Sequence, residues 1–299
     1  MSGRLTALAC DAHQRILGGT DDGRIFEWTL GVPEPRRVCG GLEGSAVLAL
    51  WTSSGGLVRT GTAVDGRVAV WDGPAGQLAA TLHCERPVKQ CVPAEKGRYL
   101  LLEDTGLARL WSPGETLSDP ILDKPGRLGR YGRAGVSDGL IVLLTSFRWT
   151  VWNAATGKEQ DRHTALDGMD LNNVDGLTGL SDNGRYYFIY WDDYSVFDTR
   201  EKRRIRSLRR PMEAVVAALS DDGSRLIVGA ESGRVAVIEP EGRLLTDVHP
   251  WGAPITQVAV NADGSVAAFL DAKGQCGGID ATSSAGQVFQ FPVLERPRS

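Results

Sequence analysis

This sequence is expected to fold as an all-β, seven-bladed β-propeller of four-stranded antiparallel blades, and three observations carry that expectation. A single pattern recurs from end to end, and each copy closes on a large apolar residue: Trp28, Trp71, Trp111, Trp152, Phe197, Ile238 and Ile279. The steps between these anchors are 43, 40, 41, 45, 41 and 41 residues, so seven copies fill all 299 residues. A period in this range is the length of one four-stranded sheet repeated around a ring. Glycine or proline interrupts nearly every window long enough for a helix, which leaves only short strands joined by tight turns.

The copy from Val215 to Leu245 shows the unit most clearly. Val215-Val216-Ala217-Ala218-Leu219 is a short apolar run that ends in the turn Ser220-Asp221-Asp222-Gly223. Arg225-Leu226-Ile227-Val228-Gly229 forms a second strand, stopped by Glu231-Ser232-Gly233. Arg234-Val235-Ala236-Val237-Ile238 is the third, and Glu239-Pro240-Glu241-Gly242 turns the chain into a fourth at Arg243-Leu244-Leu245-Thr246. Asx residues before glycine favour such hairpin turns, and β-branched residues favour the strands between them. The same order gives blades at roughly 4–41, 42–83, 84–124, 125–165, 166–210, 211–250 and 251–294. The first predicted strand, Arg4 to Ala9, already reads as an innermost one, and Gln287-Val288-Phe289-Gln290-Phe291 can supply the last outer strand. Each blade is therefore expected to be contiguous, with the ring closed by packing alone.

The Ser-Asp-Asp-Gly turn, the Asp-Gly turn and the closing Trp71-Asp72 pair resemble those of WD40-repeat propellers. The third turn, as in Trp152-Asn153-Ala154-Ala155-Thr156-Gly157-Lys158, is similar to that of YVTN-type and quinoprotein propellers. The resemblance spans the chain, but its motifs are degenerate. Among the closing anchors only Trp71 carries a Trp-Asp pair, and no Gly-His precedes the first strand, so the family's hydrogen-bonded tetrad is not intact. What the resemblance implies is a WD40-like propeller, a fold that commonly serves protein–protein interaction.

Composition narrows the function. With 42% hydrophobic and 23% charged residues the chain is an ordinary globular one, and no apolar stretch is long enough to insert in a membrane. The net charge of −4 offers no long-range attraction to phosphate backbones, so nucleic acid is not expected as a partner. Five cysteines (Cys10, Cys39, Cys84, Cys91, Cys276) show no CxxC and no zinc spacing. Read as small reduced core residues, they fit a cytoplasmic protein, and the dominance of arginine over lysine suits a bacterial genome of high GC content.

No catalytic constellation emerges. The predicted innermost strands (5–9, 46–50, 89–92, 130–134, 177–180, 214–219 and 256–260) contain no Glu, Asp or His, and Lys89, Arg130, Arg133 and Gln257 are expected to put long polar groups on the axis. His13, His83, His163 and His249 make no paired ligand motif. No metal, no cofactor and no enzymatic activity are therefore expected. An enzymatic or small-ligand propeller of the lactonase or quinoprotein class is the alternative, and it would need a polar axial site.

Candidate partner-binding residues cluster at one end of the ring. The turn Tyr190-Trp191-Asp192-Asp193-Tyr194 sets three aromatics and two carboxylates where sister repeats have small residues. Arg148, Trp149 and Trp251 are expected near the same end, as is Asp170 within the main insertion, 164–173. Aromatic residues with charged neighbours are enriched at binding hot spots. Carboxylates recur in the second turns (Asp22, Asp65, Glu103, Glu231, Asp271 among them), where they read either as turn chemistry or as an acidic rim. A basic run containing Arg203, Arg204, Arg206, Arg209 and Arg210 should form the outer edge strand of the fifth blade. Charge there discourages edge-to-edge association; the alternative is a dock for an acidic protein surface or RNA, the latter without interleaved aromatics for base stacking. The sequence thus points to a non-catalytic interaction platform for other proteins, a subunit or scaffold of a larger bacterial assembly, engaging partners through a basic or flexible segment.

Overall fold

The computed structural model describes residues 3–11, 14–53, 57–73, 75–117, 133–145, 148–164, 177–190, 194–208, 212–239, 242–282 and 287–291. Blade 1 comprises β1 (Leu5–Cys10), β2 (Arg15–Thr20), β3 (Ile25–Thr29) and β4 (Val32–Cys39). Blade 2 comprises β5 (Val47–Thr52), β6 (Val58–Ala63), β7 (Arg67–Asp72) and β8 (Gln77–His83), and blade 3 comprises β9 (Val88–Pro93), β10 (Tyr99–Glu103) and β11 (Ala108–Trp111). Blade 4 holds β12 (Arg133–Ser137), β13 (Leu140–Thr145), β14 (Arg148–Asn153) and β15 (Lys158–Thr164). Blade 5 holds β16 (Leu177–Leu180), β17 (Tyr186–Tyr190), β18 (Tyr194–Asp198) and β19 (Arg203–Leu208). Blade 6 is β20 (Val216–Leu219), β21 (Leu226–Gly229), β22 (Val235–Ile238) and β23 (Leu244–Val248), and blade 7 is β24 (Ile255–Val260), β25 (Val266–Asp271), β26 (Cys276–Asp280) and β27 (Gln287–Gln290).

Every sheet is an antiparallel meander in chain order. Blade 3 shows three strands among the described residues, and the segment after its β11, 118–132, lies outside them. The meander sorts the turns onto two faces. One, here the front face, carries the turn between second and third strands and the connection to the next blade. The back face carries the first and third turns.

The periodic anchors are the core. Trp28, Trp71 and Trp111 are all at or below 2% exposure, and Trp152, Phe197, Ile238 and Ile279 are buried with them. Apolar side chains collect in seven clusters, one at each interface between neighbouring blades. A single blade could not bury both of its faces, so the ring is the smallest stable unit. Blades 4 and 5 also approach closely: a Cβ on Gly135 would lie 2.3 Å from the Gly184 backbone nitrogen.

Around the axis, side chains tie inner strands to the next blade. Thr6 Oγ1 donates to the Val47 carbonyl (2.7 Å), and Thr60 Oγ1 donates to that of Cys91 (2.5 Å). Gln90 clasps blade 4, accepting from the Ala134 amide at 2.7 Å and donating to its carbonyl at 3.3 Å. At the seam between blades 7 and 1, Gln257 Nε2 donates to the Thr6 carbonyl (2.6 Å) and Asn261 Nδ2 to that of Asp11 (3.3 Å). No strand crosses this seam among the described residues, because blade 7 is built wholly from 255–290. Among the described residues the seam is held by packing and by these side-chain hydrogen bonds, where packing alone was expected.

Candidate functional site: the front face and the axial channel

The second turns of the front face use their carboxylates locally. Asp22 accepts from Thr20 Oγ1 (2.6 Å) and pairs with the guanidinium of Arg24, two residues on. Asp65 does the same with Arg67 at 2.8 Å, and Glu103 receives Arg109 Nε at 2.7 Å. Asp271 caps its own turn, accepting the amides of Lys273 and Gln275. The hydrogen bonds to Arg24 and Arg67 hold the Asp22 and Asp65 carboxyls below the usual carboxylate range, against a desolvation cost that acts the other way. Turn chemistry accounts for these groups, and Asp22, Asp65 and Glu103 are each paired with a neighbouring arginine.

The expected partner residues fall into three groups. Asp170, Trp191, Asp192, Asp193, Arg209 and Arg210 lie outside the described residues. Arg148 opens β14, Tyr194 opens β18 opposite Tyr190 and Leu208, and Arg206 stands opposite Val196; for these three the backbone alone is described. Trp149, Trp251, Arg203 and Arg204 have defined surroundings. Trp149 is 2% exposed and packs against Tyr187 (5.6 Å) and Phe197 (6.2 Å) of blade 5. It is a core residue of the 4–5 interface, because alternation along β14 turns Trp149 and Val151 towards blade 5 and Trp152 towards blade 3. Trp251 is half-buried, its ring 5.2 Å from that of Phe269. Arg203 and Arg204 are exposed on β19, the outer edge of blade 5, and Arg203 pairs with Glu201 at 2.5 Å.

The axis holds a cavity of about 460 Å³ lined both by small apolar residues such as Ala7, Ala49 and Ala217 and by polar ones, Thr62, Lys89 and Gln257 among them. Arg133 from β12, Trp51 from β5 and Asp182, in the first turn after β16, share it. Asp182 escapes a reading of the innermost strands because it sits just past one of them, in a turn whose Asp-Asn-Gly sequence looks fully explained by turn chemistry. Burial pushes its carboxyl up, opposed by Arg133 and by the Trp51 indole N–H; desolvation within the channel also pulls the Arg133 guanidinium down. Among the described residues no three His, Cys, Asp or Glu side chains are grouped to hold a metal ion, and no helix is long and apolar enough to cross a membrane. All five cysteines are buried and free.

Beside Asp182, on blade 6, lies Asp221. Its carboxylate accepts the Asn183 amide at 2.8 Å, and the Asn183 side chain donates back to the Asp221 carbonyl at 2.9 Å. Desolvation first, then the neighbouring charges of Asp182 and Asp222, push its pKa up to about 7. An unfolded aspartate titrates near about 3.9. Between about pH 4 and pH 7 the folded chain thus keeps a proton that the unfolded chain has lost, so this group's contribution falls as pH rises through that window. Asp221→Asn keeps the acceptor oxygen and cannot ionise. In urea denaturation at a series of pH values, the variant should gain stability relative to wild type as pH rises from about 4 to about 7, and the gain should level off above. A difference that stays constant with pH would show that Asp221 is not held protonated.

No protein-family model matches the chain, and no curated protein sequence matches it. Its structure, however, is similar to the β-propeller domain of Cps50 (Swd1) from Myceliophteria thermophila, with a TM-score of 0.67 at 13% sequence identity. The likeness covers 93% of this chain and 96% of that one. The fold is that of a seven-bladed β-propeller. At this identity the likeness extends to the fold alone. Among the described residues Trp71 Nε1 donates to the Gly40 carbonyl, at 2.7 Å.

Proposed function

We propose that this WD40-like propeller is a non-catalytic protein–protein interaction platform, a cytoplasmic subunit or scaffold of a larger bacterial assembly. The observation that carries the reading is the fold, a complete ring of seven blades whose two faces present different sets of turns on a rigid frame. Loops held by a rigid scaffold are where binding residues concentrate. The residues proposed to engage the partner are Arg148, Trp191, Asp192, Asp193 and Tyr194, with Asp170 and the half-buried Trp251; Asp170 and Trp191 to Asp193 lie outside the described residues. Trp149 supports that surface from within the core. Arg203, Arg204 and Arg206 give β19 a basic edge that protects it from strand addition, and with Arg209 and Arg210 next in sequence they are proposed as a secondary dock for acidic protein segments. The test is affinity capture from native lysate with mass spectrometry, comparing wild type with a Trp191→Ala, Asp192→Ala, Tyr194→Ala variant. A partner retained by wild type and lost by the variant is the expected result.

A further inference from the structure

On the back face a cavity of about 440 Å³ opens between blades 4 and 5, and its accessible wall is mainly apolar. Leu140, Val142 and Val151 line it from blade 4, with Gly184 and Thr199 facing them from blade 5. Arg200 and Lys202, exposed in the turn between β18 and β19, reach across to blade 4, where Arg200 pairs with Asp138 and Lys202 with Asp161. That turn departs from its sister turns. Gly76 in blade 2 and Gly157 in blade 4 take the left-handed position at φ +64°, whereas blade 5 puts Lys202 there at φ +56°. Arg200 likewise stands where blade 4 has Ala155. Asp138, across the groove, is left-handed too, at φ +51°. Four non-glycine residues have such a backbone among the described residues, and two of them frame this one groove. Glycine adopts the conformation freely and lysine does not, and outliers of this kind gather at functional sites.

We infer that this groove binds an extended acidic peptide segment, an apolar side chain of the segment entering between the blades while its carboxylates pair with Arg200 and Lys202. The inference rests on the reading of the β19 edge as a dock for acidic segments, and it adds the apolar half of that dock. Two features fix the sign of the ligand. The groove's own carboxylates keep other donors when their cations turn to a ligand: Asp138 accepts from the Ser137 hydroxyl at 3.0 Å, and Asp161 accepts the Arg162 amide at 2.8 Å and has His163 Nε2 at 2.9 Å. Lys202 has Asp161 as its one partner among the described residues, so a cationic ligand that took Asp161 would strand it. The chain then runs from Lys202 into Arg203 and Arg204, both exposed, and Arg204 forms no ion pair among the described residues. Exposed ion pairs hold little energy, so an acidic segment can compete for Arg200 and Lys202. Burial of its apolar side chain against Leu140 and Val151 supplies the rest.

The probe is a fluorescein-labelled Asp-Glu-Leu-Leu-Asp-Glu peptide, titrated into the intact protein by anisotropy at low salt. Saturable one-to-one binding is expected. Replacing both leucines of the peptide by serine should weaken it by about tenfold, and replacing its acidic residues by lysine by about tenfold or more. Lys202→Gly should weaken the acidic peptide by about threefold or more, yet leave the thermal midpoint no lower than that of wild type, because glycine relieves the left-handed backbone. A purely structural clasp predicts the reverse, a lower midpoint with unchanged affinity. Val151→Thr, which makes the wall polar, should weaken the leucine peptide and leave the serine peptide unchanged, with cooperative unfolding showing that the ring is intact. No saturable binding of the acidic peptide overturns both the groove and the edge dock. Binding lost from Arg203→Glu, Arg204→Glu but indifferent to the serine replacement, to Lys202→Gly and to Val151→Thr overturns the groove alone. Dimerisation of wild type in sedimentation velocity, abolished by Lys202→Gly, would assign the groove to a second copy of the chain and overturn the peptide reading.

Discussion

Glu27→Ala is expected to destabilise the ring by about 3–5 kcal/mol, the cost of leaving a buried charge without its partner. Glu27, on β3 of blade 1, is 6% exposed, and Arg59, on β6 of blade 2, is 1% exposed. Arg59 Nη2 donates to Glu27 Oε2 at 2.5 Å, while its Nε and Nη1 are buried without a hydrogen-bond partner. Glu27 has further support: Arg36 donates to it at 2.9 Å, and Arg15 stands 3.9 Å away. The asymmetry fixes the order of effects. Removing Glu27 strands the most buried cation, whereas Arg59→Ala leaves Glu27 with two other arginines and should cost less. The double replacement Glu27→Leu, Arg59→Leu should recover much of the loss, because apolar side chains carry no desolvation penalty. Midpoints of urea unfolding would show this; equal losses for the two single alanine variants would mean that Arg36 and Arg15 give Glu27 no support of their own.

Trp28→Ala should cost a comparable amount, about 3–5 kcal/mol, by opening a cavity that the frame cannot collapse to fill. Trp28 is fully buried at the seam of blades 1 and 7, its ring 5.5 Å from Phe291 and so close to Gly18 that an added Cβ there would sit 2.5 Å from the indole. Because no strand is shared across the seam among the described residues, loss of this packing should do more than lower global stability. Blades 1 and 7 should open first, seen as faster amide hydrogen exchange in β1 to β4 and β24 to β27 than elsewhere. Trp111→Ala, at the interface of blades 2 and 3, is the control: a similar drop in stability without selective exchange at the seam. Uniform acceleration in both variants would argue against a seam that is the weak joint of the ring.

The repeat was legible because the side chains that set its period are also the ones that fill the blade interfaces. Trp28, Trp71 and Trp111 are visible in the sequence as large apolar residues at fixed spacing, and each is buried where that spacing puts it. The inner strands were legible for a related reason, since the small residues of β1, β20 and β24 suit a crowded axis. Glu27 was not. It sits between Phe26 and Trp28 in a strand, where alternation reads as a solvent-facing position, and its partner Arg59 is 32 residues away in another blade. Trp149 misleads in the opposite sense, because its place near the front face suggested exposure while the side chain turns into the 4–5 interface. Asp182 shows the third kind of difficulty. Its turn is well explained by local chemistry, and only the ring brings Trp51 and Arg133 towards it from other blades.

The front-face reading is tested most directly by quantitative capture from native lysate with three forms of the protein. These are wild type, the Trp191→Ala, Asp192→Ala, Tyr194→Ala variant, and an Arg203→Glu, Arg204→Glu variant of the outer edge. All three must first show the same cooperative thermal unfolding, so that only the surfaces differ. The account predicts a partner held by wild type, lost from the blade 5 turn variant, and retained at least in part by the edge variant. A partner held equally by wild type and the turn variant would contradict it.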